Sequence, residues 1–409
     1  MAKPIGPVCN LRCEYCFYLE KETFYPDGEQ YRMTDEVLEA YIRQVAKAHA
    51  DIPELIFAWQ GGEPTMLGIE FFEKALELEK KYAGSKPVTN TLQTNGTLID
   101  DEWCRFLKKN NFLVGLSLDG PEDLHDRYRR DAGGQGTFAK VMRALKLMRK
   151  YGVEFNVLAC VNRETAKRPL DVYHWFKENG VEFIQFIPIV ELAPNEETND
   201  LGLQIGVPAA PGTDEPPVTD WTVLPEDYGD FLVAIFDEWV RNDVGSMFVM
   251  NFEWALVSYI GLQMPACFFA PECGNAGIIE HNGDIYSCDH FMYPRYLLGN
   301  VLTDDLKDMM ASPKQKEFGA AKGDLPRYCR ECKVLKACYG ECPKHRFRLT
   351  PDGEPGLNYL CEAYKRYFMH ILPYLKVIAE LLAEGRPATE VMDKTIIVLP
   401  GKDGRTGSS

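Results

Sequence analysis

Cys9-Asn-Leu-Arg-Cys13-Glu-Tyr-Cys16 places three thiols at a CxxxCxxC spacing near the start of the chain. Thiolates at this spacing can hold three irons of a four-iron cluster and leave the fourth iron open to a substrate or cofactor, where a fourth cysteine would close it. A zinc knuckle would lack its histidine, since the nearest, His49, falls in a predicted helix. Gly61-Gly62-Glu63-Pro64 is a second candidate, because glycines let backbone approach a small ligand and a carboxylate suits an ammonium. Taken alone, it is equally a turn with an exposed acid. Eight further cysteines, Cys267 to Cys361, crowd the last third of the chain, while Cys104 and Cys160 stand apart as small thiols with no assigned role. Four of the eight, Cys329, Cys332, Cys338 and Cys342, have the spacing of a zinc ribbon, which would leave the other four without a purpose. Asp289 directly follows Cys288, either as a turn residue or as a base for a thiol or hydroxyl proton.

Together these motifs resemble the radical S-adenosylmethionine (SAM) superfamily. CxxxCxxC with the aromatic Tyr15 before its last cysteine is similar to that superfamily's cluster loop, and Gly61 to Pro64 to its GGEP motif. The resemblance implies that the open iron chelates SAM and that Gly62 and Glu63 meet the SAM amino group. By similarity Ser117, Arg129 and Val190 are also SAM contacts; from their chemistry alone, Ser117 is a strand cap and Arg129 a solvated helix-end cation. Cys273, Gly283, Cys288, Cys329, Cys332, Cys338, Cys342 and Cys361 match the spacings of the SPASM pattern, which binds auxiliary iron–sulfur clusters. With Cys267 as the eighth ligand, the thiols suffice for two closed four-iron clusters. The resemblance divides them into Cys267, Cys273, Cys288 and Cys342 on one, and Cys329, Cys332, Cys338 and Cys361 on the other. The implied cofactors are three 4Fe–4S clusters and SAM.

Asp289 lies where the anaerobic sulfatase-maturating enzymes carry their proposed general base, and the stretches 92–98, 112–121 and 356–361 are similar to that family as well. This likeness, running from about Lys3 to Tyr374, implies an oxidoreductase acting on a Cys/Ser-x-Pro/Ala-x-Arg segment of an unfolded sulfatase polypeptide. A 5′-deoxyadenosyl radical would take a Cβ hydrogen, Asp289 a proton, and the auxiliary clusters an electron, leaving formylglycine. A low-potential donor such as flavodoxin or ferredoxin would supply the first electron. The nearer alternative is another SPASM maturase, forming thioethers or epimerising a ribosomal peptide; outside enzymes, it is a zinc-stapled binding protein.

Composition narrows the partners. The 45 lysines and arginines against 61 aspartates and glutamates give a net charge of −16, which repels nucleic acid phosphates and anionic lipid. No apolar run reaches the roughly 18 residues of a membrane span, and Met1 to Cys9 are too short and polar for a secretory segment. A cytoplasmic protein is expected, in which 13 cysteines read as metal ligands before disulfides.

The elements that must position these residues alternate. Apolar runs at 55–59, 89–93, 113–118, 154–161 and 183–188 predict strands, and helical periodicity covers 35–50, 70–82, 100–109, 138–151 and 169–179. Five or six βα repeats predict an α/β fold, a partial (β/α)6 barrel resembling the radical SAM barrel, with its chemistry on loops at the C-terminal strand ends. The first strand, with little chain before Cys9, is expected to be shortened. The barrel is assigned to residues 1–240, a SPASM domain with two auxiliary clusters to 241–365, and a C-terminal helix and tail to 366–400. Residues 401–409 read as a polar tail without fixed structure. The proline-rich stretch 191–223 predicts a long surface loop, and the cysteine-rich region is expected to be held by metal more than by a large core.

Overall fold

Alternation of apolar runs with amphipathic helices builds a parallel sheet in this chain. Its strands are β1 (Ala2–Lys3), β2 (Leu55–Trp59), β3 (Val88–Thr94), β4 (Leu113–Ser117), β5 (Glu154–Val161), β6 (Phe183–Pro188) and β7 (Phe248–Val249), each parallel to the next. The coordinates are a computed structural model and describe residues 1–393 apart from 27, 209–211, 213, 214 and 275. The expected tail at 401–409, and the end of the 366–400 segment, lie outside the described residues. Helices α1 (Asp35–Ala48), α2 (Ile69–Ala83), α3 (Asp101–Lys109), α4 (Glu122–Tyr128), α5 (Phe138–Tyr151) and α6 (Pro169–Glu178) run between the strands. Thr34 caps α1 by accepting from the Val37 N–H, and Gly152 ends α5 in the left-handed conformation at φ 66°. The fully buried rings of Phe57, Trp59, Phe72, Phe112, Phe176 and Phe186 make the core. This is the α/β partial barrel of the sequence reading.

The first strand is only two residues long, because Pro4 has no N–H to continue a ladder. It nevertheless sits mid-sheet, with Ala2 beside Trp59 of β2 and Lys3 beside Glu280 of β8 (Ile278–Glu280). From there β9 (Asp284–Tyr286) and β10 (Leu297–Asn300) continue antiparallel, giving ten strands in the order β10-β9-β8-β1-β2-β3-β4-β5-β6-β7. The cysteine-rich region therefore shares the barrel's sheet. Phe269, Ile279, Ile285 and Val301 lie in the main apolar core, so that region has more core than its cysteine content led the sequence reading to expect.

Residues 191–208 also differ from the expected surface loop. Leu192 bridges to Gly206 and Val218, a short helix spans Glu196–Asp200, and Leu192, Leu203, Ile205 and Val207 are buried. Leu203 and Val207 pack on Tyr293, tying the strap to the cysteine-rich region. Four buried apolar residues spaced between prolines outweigh the turn signals. The C-terminal helix, Cys361–Ala383, starts five residues before its predicted onset and lies along the helix Pro225–Asn242, where Gly229 leaves room for Ala363. Among the described residues no helix is long and apolar enough to cross a membrane.

Candidate active site

Strand β1 delivers the chain into the CxxxCxxC loop, and the GGEP turn after β2 holds that loop from the side. Gly62 N–H donates to Gly6 O at 2.8 Å and Glu63 N–H to Val8 O at 2.9 Å. A Cβ on Gly62 would fall 1.8 Å from Val8 O, so only glycine permits this approach. On the other flank the loop pairs with residues after α4: Arg12 N–H reaches Arg130 O at 2.7 Å and Glu14 N–H reaches Tyr128 O at 3.2 Å. Asn95, after β3, donates to Cys9 Sγ at 3.7 Å and to Asn10 Oδ1 at 2.8 Å. Burial pushes the Cys9 thiol up to about 11 and raises Cys13 and Cys16 as well; Cys16 adds to the rise at Cys9 and Cys13, which places the three thiols within electrostatic reach of one another. Such a trio stays protonated unless a positive group replaces the protons, which is what iron ligation does.

Glu63 is fully buried, and burial raises its carboxyl despite four hydrogen bonds. Its Oε1 accepts from Thr65 N–H (3.1 Å), Thr65 Oγ1 (2.6 Å) and Thr94 Oγ1 (2.7 Å); Oε2 accepts only from Asn95 N–H (2.7 Å). The acid of this turn is not exposed, as it would be in an ordinary surface turn, but forms a buried clamp between β2 and β3. Arg129 is not the solvated cation of the bland reading. It is buried, donates from Nε to Asp119 Oδ2 at 2.9 Å and lies 5.5 Å from the Tyr15 ring centre. Tyr15 OH donates to the same Asp119 oxygen, and Asp119 Oδ1 accepts from Cys160 N–H at 2.9 Å. Asp119, which lies in the stretch 112–121 but has no role assigned from sequence, is the hub that fixes Tyr15 and Arg129 beside Cys13. Ser117 closes β4 and Val190 follows β6, both buried at the C-terminal strand ends.

The eight distal cysteines gather at two further places. Cys329, Cys332, Cys338 and Cys361 line one cavity, with Tyr328, Val334 and Lys365 among its walls. Cys267, Cys273, Cys288 and Cys342 form the other group: burial raises each thiol, and Cys267 and Cys273 both bear on Cys288 while Cys288 and Cys273 bear on Cys342. Buried cations stand beside them. Lys322 donates to the carbonyls of Cys267 (2.6 Å) and Phe268 (2.8 Å), and Arg346 donates to those of Gly340, Lys322, Tyr339 and Glu341 at 2.6–3.1 Å. Three of these carbonyls, those of Tyr339, Gly340 and Glu341, belong to a loop between Cys338 and Cys342 whose residues all have positive φ, at 44°, 67° and 52°. Cations set against clustered thiols offset the negative charge of a ligated iron–sulfur group. Among the described residues no three Cys, His, Asp or Glu side chains are placed to hold a single metal ion.

Asp289 opens the turn after β9 and points back at β1. Lys3 Nζ stands 2.7 Å from its Oδ1, an ion pair outside hydrogen-bond alignment, and lies over the Tyr18 ring at 3.9 Å. Burial alone would raise the Asp289 carboxyl, but Lys3, His290 and Lys344 together hold it below the usual carboxylate range. Tyr18 OH donates to Glu280 Oε1 at 2.6 Å, and His281 joins Glu280 to Glu29. Neither Lys3 nor Tyr18 carried a signal in sequence, because their partners lie more than 260 residues away.

The patterns of known families agree with this geometry. The radical SAM superfamily matches residues 4–187, and an iron-sulfur cluster-binding domain matches residues 267–333. A partial barrel with a three-cysteine loop after its first strand, continued by an iron–sulfur domain, is the build of a radical SAM oxidoreductase. The chain is 47% identical over 392 residues to a serine-type anaerobic sulfatase-maturating enzyme of Bacteroides thetaiotaomicron, covering 95% of this chain and 93% of that one. It is 35% identical over 386 residues to a cysteine-type anaerobic sulfatase-maturating enzyme of Clostridium perfringens, covering 93% and 97%. The solved structure of native anSMEcpe with bound AdoMet and Cp18Cys peptide matches with a TM-score of 0.80 at 34% identity, over 93% of this chain and 98% of that one. The chain belongs to the anaerobic sulfatase-maturating enzymes. Its role is sulfatase maturation, and the cofactor classes of its two matched regions are SAM and iron–sulfur clusters.

Proposed function

We propose that this enzyme oxidises the Cβ of a serine or cysteine in a Cys/Ser-x-Pro/Ala-x-Arg segment of an unfolded sulfatase to give formylglycine. When bound, SAM and the clusters supply a 5′-deoxyadenosyl radical that removes one Cβ hydrogen atom and an acceptor for the electron left behind. Cys9, Cys13 and Cys16 hold the first 4Fe–4S cluster. Cys267, Cys273, Cys288 and Cys342 hold the second, and Cys329, Cys332, Cys338 and Cys361 the third. Around SAM, Gly62 leaves space for backbone approach, and Glu63 offers Oε2, the oxygen with the fewer donors, to the ammonium. Tyr15, Ser117, Arg129 and Val190 enclose the remainder, with Arg129 held by Asp119 so that its charge is fixed before SAM arrives. Asp289 receives the substrate hydroxyl or thiol proton, and Lys3 keeps it anionic beforehand.

The observation that carries this reading is the Lys3–Asp289 pair, since it ties the turn after Cys288 to the strand that enters the cluster loop. That contact supports reading Asp289 as a proton acceptor that follows Cys288 of the second thiol group and is tied to the strand leading into the first. Both serine-type and cysteine-type enzymes stand among the relatives, so either residue is taken as substrate. The test is anaerobic incubation of reduced enzyme and SAM with a Ser-x-Ala-x-Arg and a Cys-x-Pro-x-Arg peptide, followed by mass spectrometry. The serine peptide should lose two hydrogens and react with a carbonyl reagent. SAM cleavage with both peptides left intact, or a thioether in the product, would overturn the proposal.

A further inference from the structure

In a chain of net charge −16, one face is cationic, and it surrounds the place where the first cysteine loop reaches the surface. The side chains of Arg12, Arg127, Arg130, Arg143 and Lys146 are all exposed, and none of them forms an ion pair among the described residues. Arg12 immediately precedes Cys13, and its backbone pairs with Arg130. Arg143, on α5, donates to Thr97 O at 3.4 Å; Thr97 Oγ1 accepts from Asn10 (2.8 Å), the residue after Cys9. The acids nearby are mostly committed: Asp126 accepts the N–H groups that start α5, and Asp131 accepts from Gly133, Gln135 and Lys140. Only Glu14 is exposed on the same ribbon without such partners. Beside the cations, Phe138, Met142 and Trp175 line a shallow apolar depression. Around that depression Arg143, Lys146 and Lys150 are cationic and Glu122 is the one acid, and an apolar patch with a predominantly cationic rim is how an acidic protein partner is received.

We infer that this face, Arg12, Arg127 and Arg130 with Arg143 and Lys146 of α5, is the docking surface for an acidic, low-potential one-electron carrier protein. The inference rests on the proposal that Cys9, Cys13 and Cys16 hold the first cluster, because Arg12 adjoins Cys13, its backbone pairs with Arg130, and Arg143 meets Thr97, which holds Asn10 beside Cys9. In the step served, one electron leaves the reduced carrier and enters that cluster, so the carrier is oxidised and the cluster reduced by one. The rest of the surface repels an acidic partner, and the local cations overcome that repulsion while orienting the encounter. Steering of this kind raises association by about 10- to 1000-fold and fades as salt screens it.

The test measures binding of oxidised flavodoxin, and separately of an acidic ferredoxin, to the cluster-loaded enzyme by surface plasmon resonance at low and high salt. At least one carrier should bind the parent at low salt and lose about tenfold or more in affinity at high salt. R12E/R130E/R143E should bind it at least about tenfold more weakly and lose the salt dependence. The extent of its cluster reduction by excess dithionite should match the parent's. R143E/K146E, confined to α5, should show the same weakening with an unchanged melting temperature. Parent-like carrier binding by both variants, failure of both carriers to bind the parent, or loss of sulfatase-peptide affinity in place of carrier affinity would overturn the inference. A parent that binds the carrier but leaves both peptides unreacted under dithionite would sink the proposed function and leave this face standing.

Discussion

Replacing Arg346 with methionine should strip the distal iron while sparing the first cluster. The guanidinium is buried and donates to four carbonyls, three of them on the loop from Cys338 to Cys342. Gly340 O also accepts from Asn358 at 3.2 Å, so three buried carbonyls are left without a donor, at about 1–3 kcal/mol each. Tyr339 and Glu341 add about 1 kcal/mol apiece of left-handed backbone that nothing then holds. Against this stands the relief of a buried charge, since burial lowers the Arg346 pKa. Taking the low end for each carbonyl, and letting the relief of the charge offset the backbone term, leaves a net loss of about 3 kcal/mol, a large share of the 5–15 kcal/mol that holds a typical protein folded. For a chain of this size that lowers the melting temperature by about 3–4 °C. Cys338 and Cys342 fall in different thiol groups, so disorder of the loop between them should release about two-thirds of the iron, taking four irons per cluster. Anaerobic calorimetry with iron and sulfide analysis reads both effects. Arg346→Lys, with three donors and no planar fork, should fall between methionine and parent. A methionine variant with full iron and an unchanged melting temperature would refute the reasoning.

Other perturbations separate the parts of the site. Changing Cys9, Cys13 and Cys16 together to alanine should remove about a third of the iron and all SAM cleavage; deoxyadenosine formed by that variant would contradict the assignment. Asp289→Asn should keep all the iron and still yield deoxyadenosine, while formylglycine output falls about 10²- to 10⁴-fold, the usual worth of a positioned proton acceptor. Parent-rate formylglycine from that variant would reduce Asp289 to a turn residue. Glu79, on α2, is buried with Oε1 unpartnered, and burial pushes its carboxyl up to about 7 against one hydrogen bond from Asn90. Because this folded-state value lies above the unfolded one, its stabilising protonated form is fully present in acid and lost as pH rises through about 7. Glu79→Gln should therefore flatten the decline and stabilise the protein by up to about 3 kcal/mol at pH about 8; parallel denaturation curves for parent and variant across this range would exclude it.

The barrel was legible because its information is local. Period-two apolar runs from 55 to 188 gave strands within a residue or so of the observed ends, and the helices followed from their spacing. Strands of two or three residues, β1 and β7 to β9, are too short to show any period, and so the continuation of the sheet into the cysteine-rich region was not visible. Cysteine spacing brought the right residue types forward, yet the grouping of Cys342 with Cys267 and not with Cys338 depends on a loop crossing that no spacing encodes. The bland readings of Glu63 and Arg129 failed for a related reason. Burial of an acid or a cation is decided by partners such as Thr94 and Asp119, which local pattern cannot supply. Residues 191–208 were misread because prolines signal turns more loudly than four scattered apolar residues signal packing.

The central claim, that a radical formed at the Cys9–Cys16 loop attacks the Cβ of a sulfatase serine or cysteine, is most directly tested with isotope. A Ser-x-Ala-x-Arg or Cys-x-Pro-x-Arg peptide deuterated only at Cβ of its target residue is incubated anaerobically with reduced enzyme and SAM, and the recovered 5′-deoxyadenosine is weighed. One deuterium in the deoxyadenosine, in step with formylglycine in the peptide, is the predicted result. Deoxyadenosine without deuterium, alongside an oxidised peptide, would contradict the account.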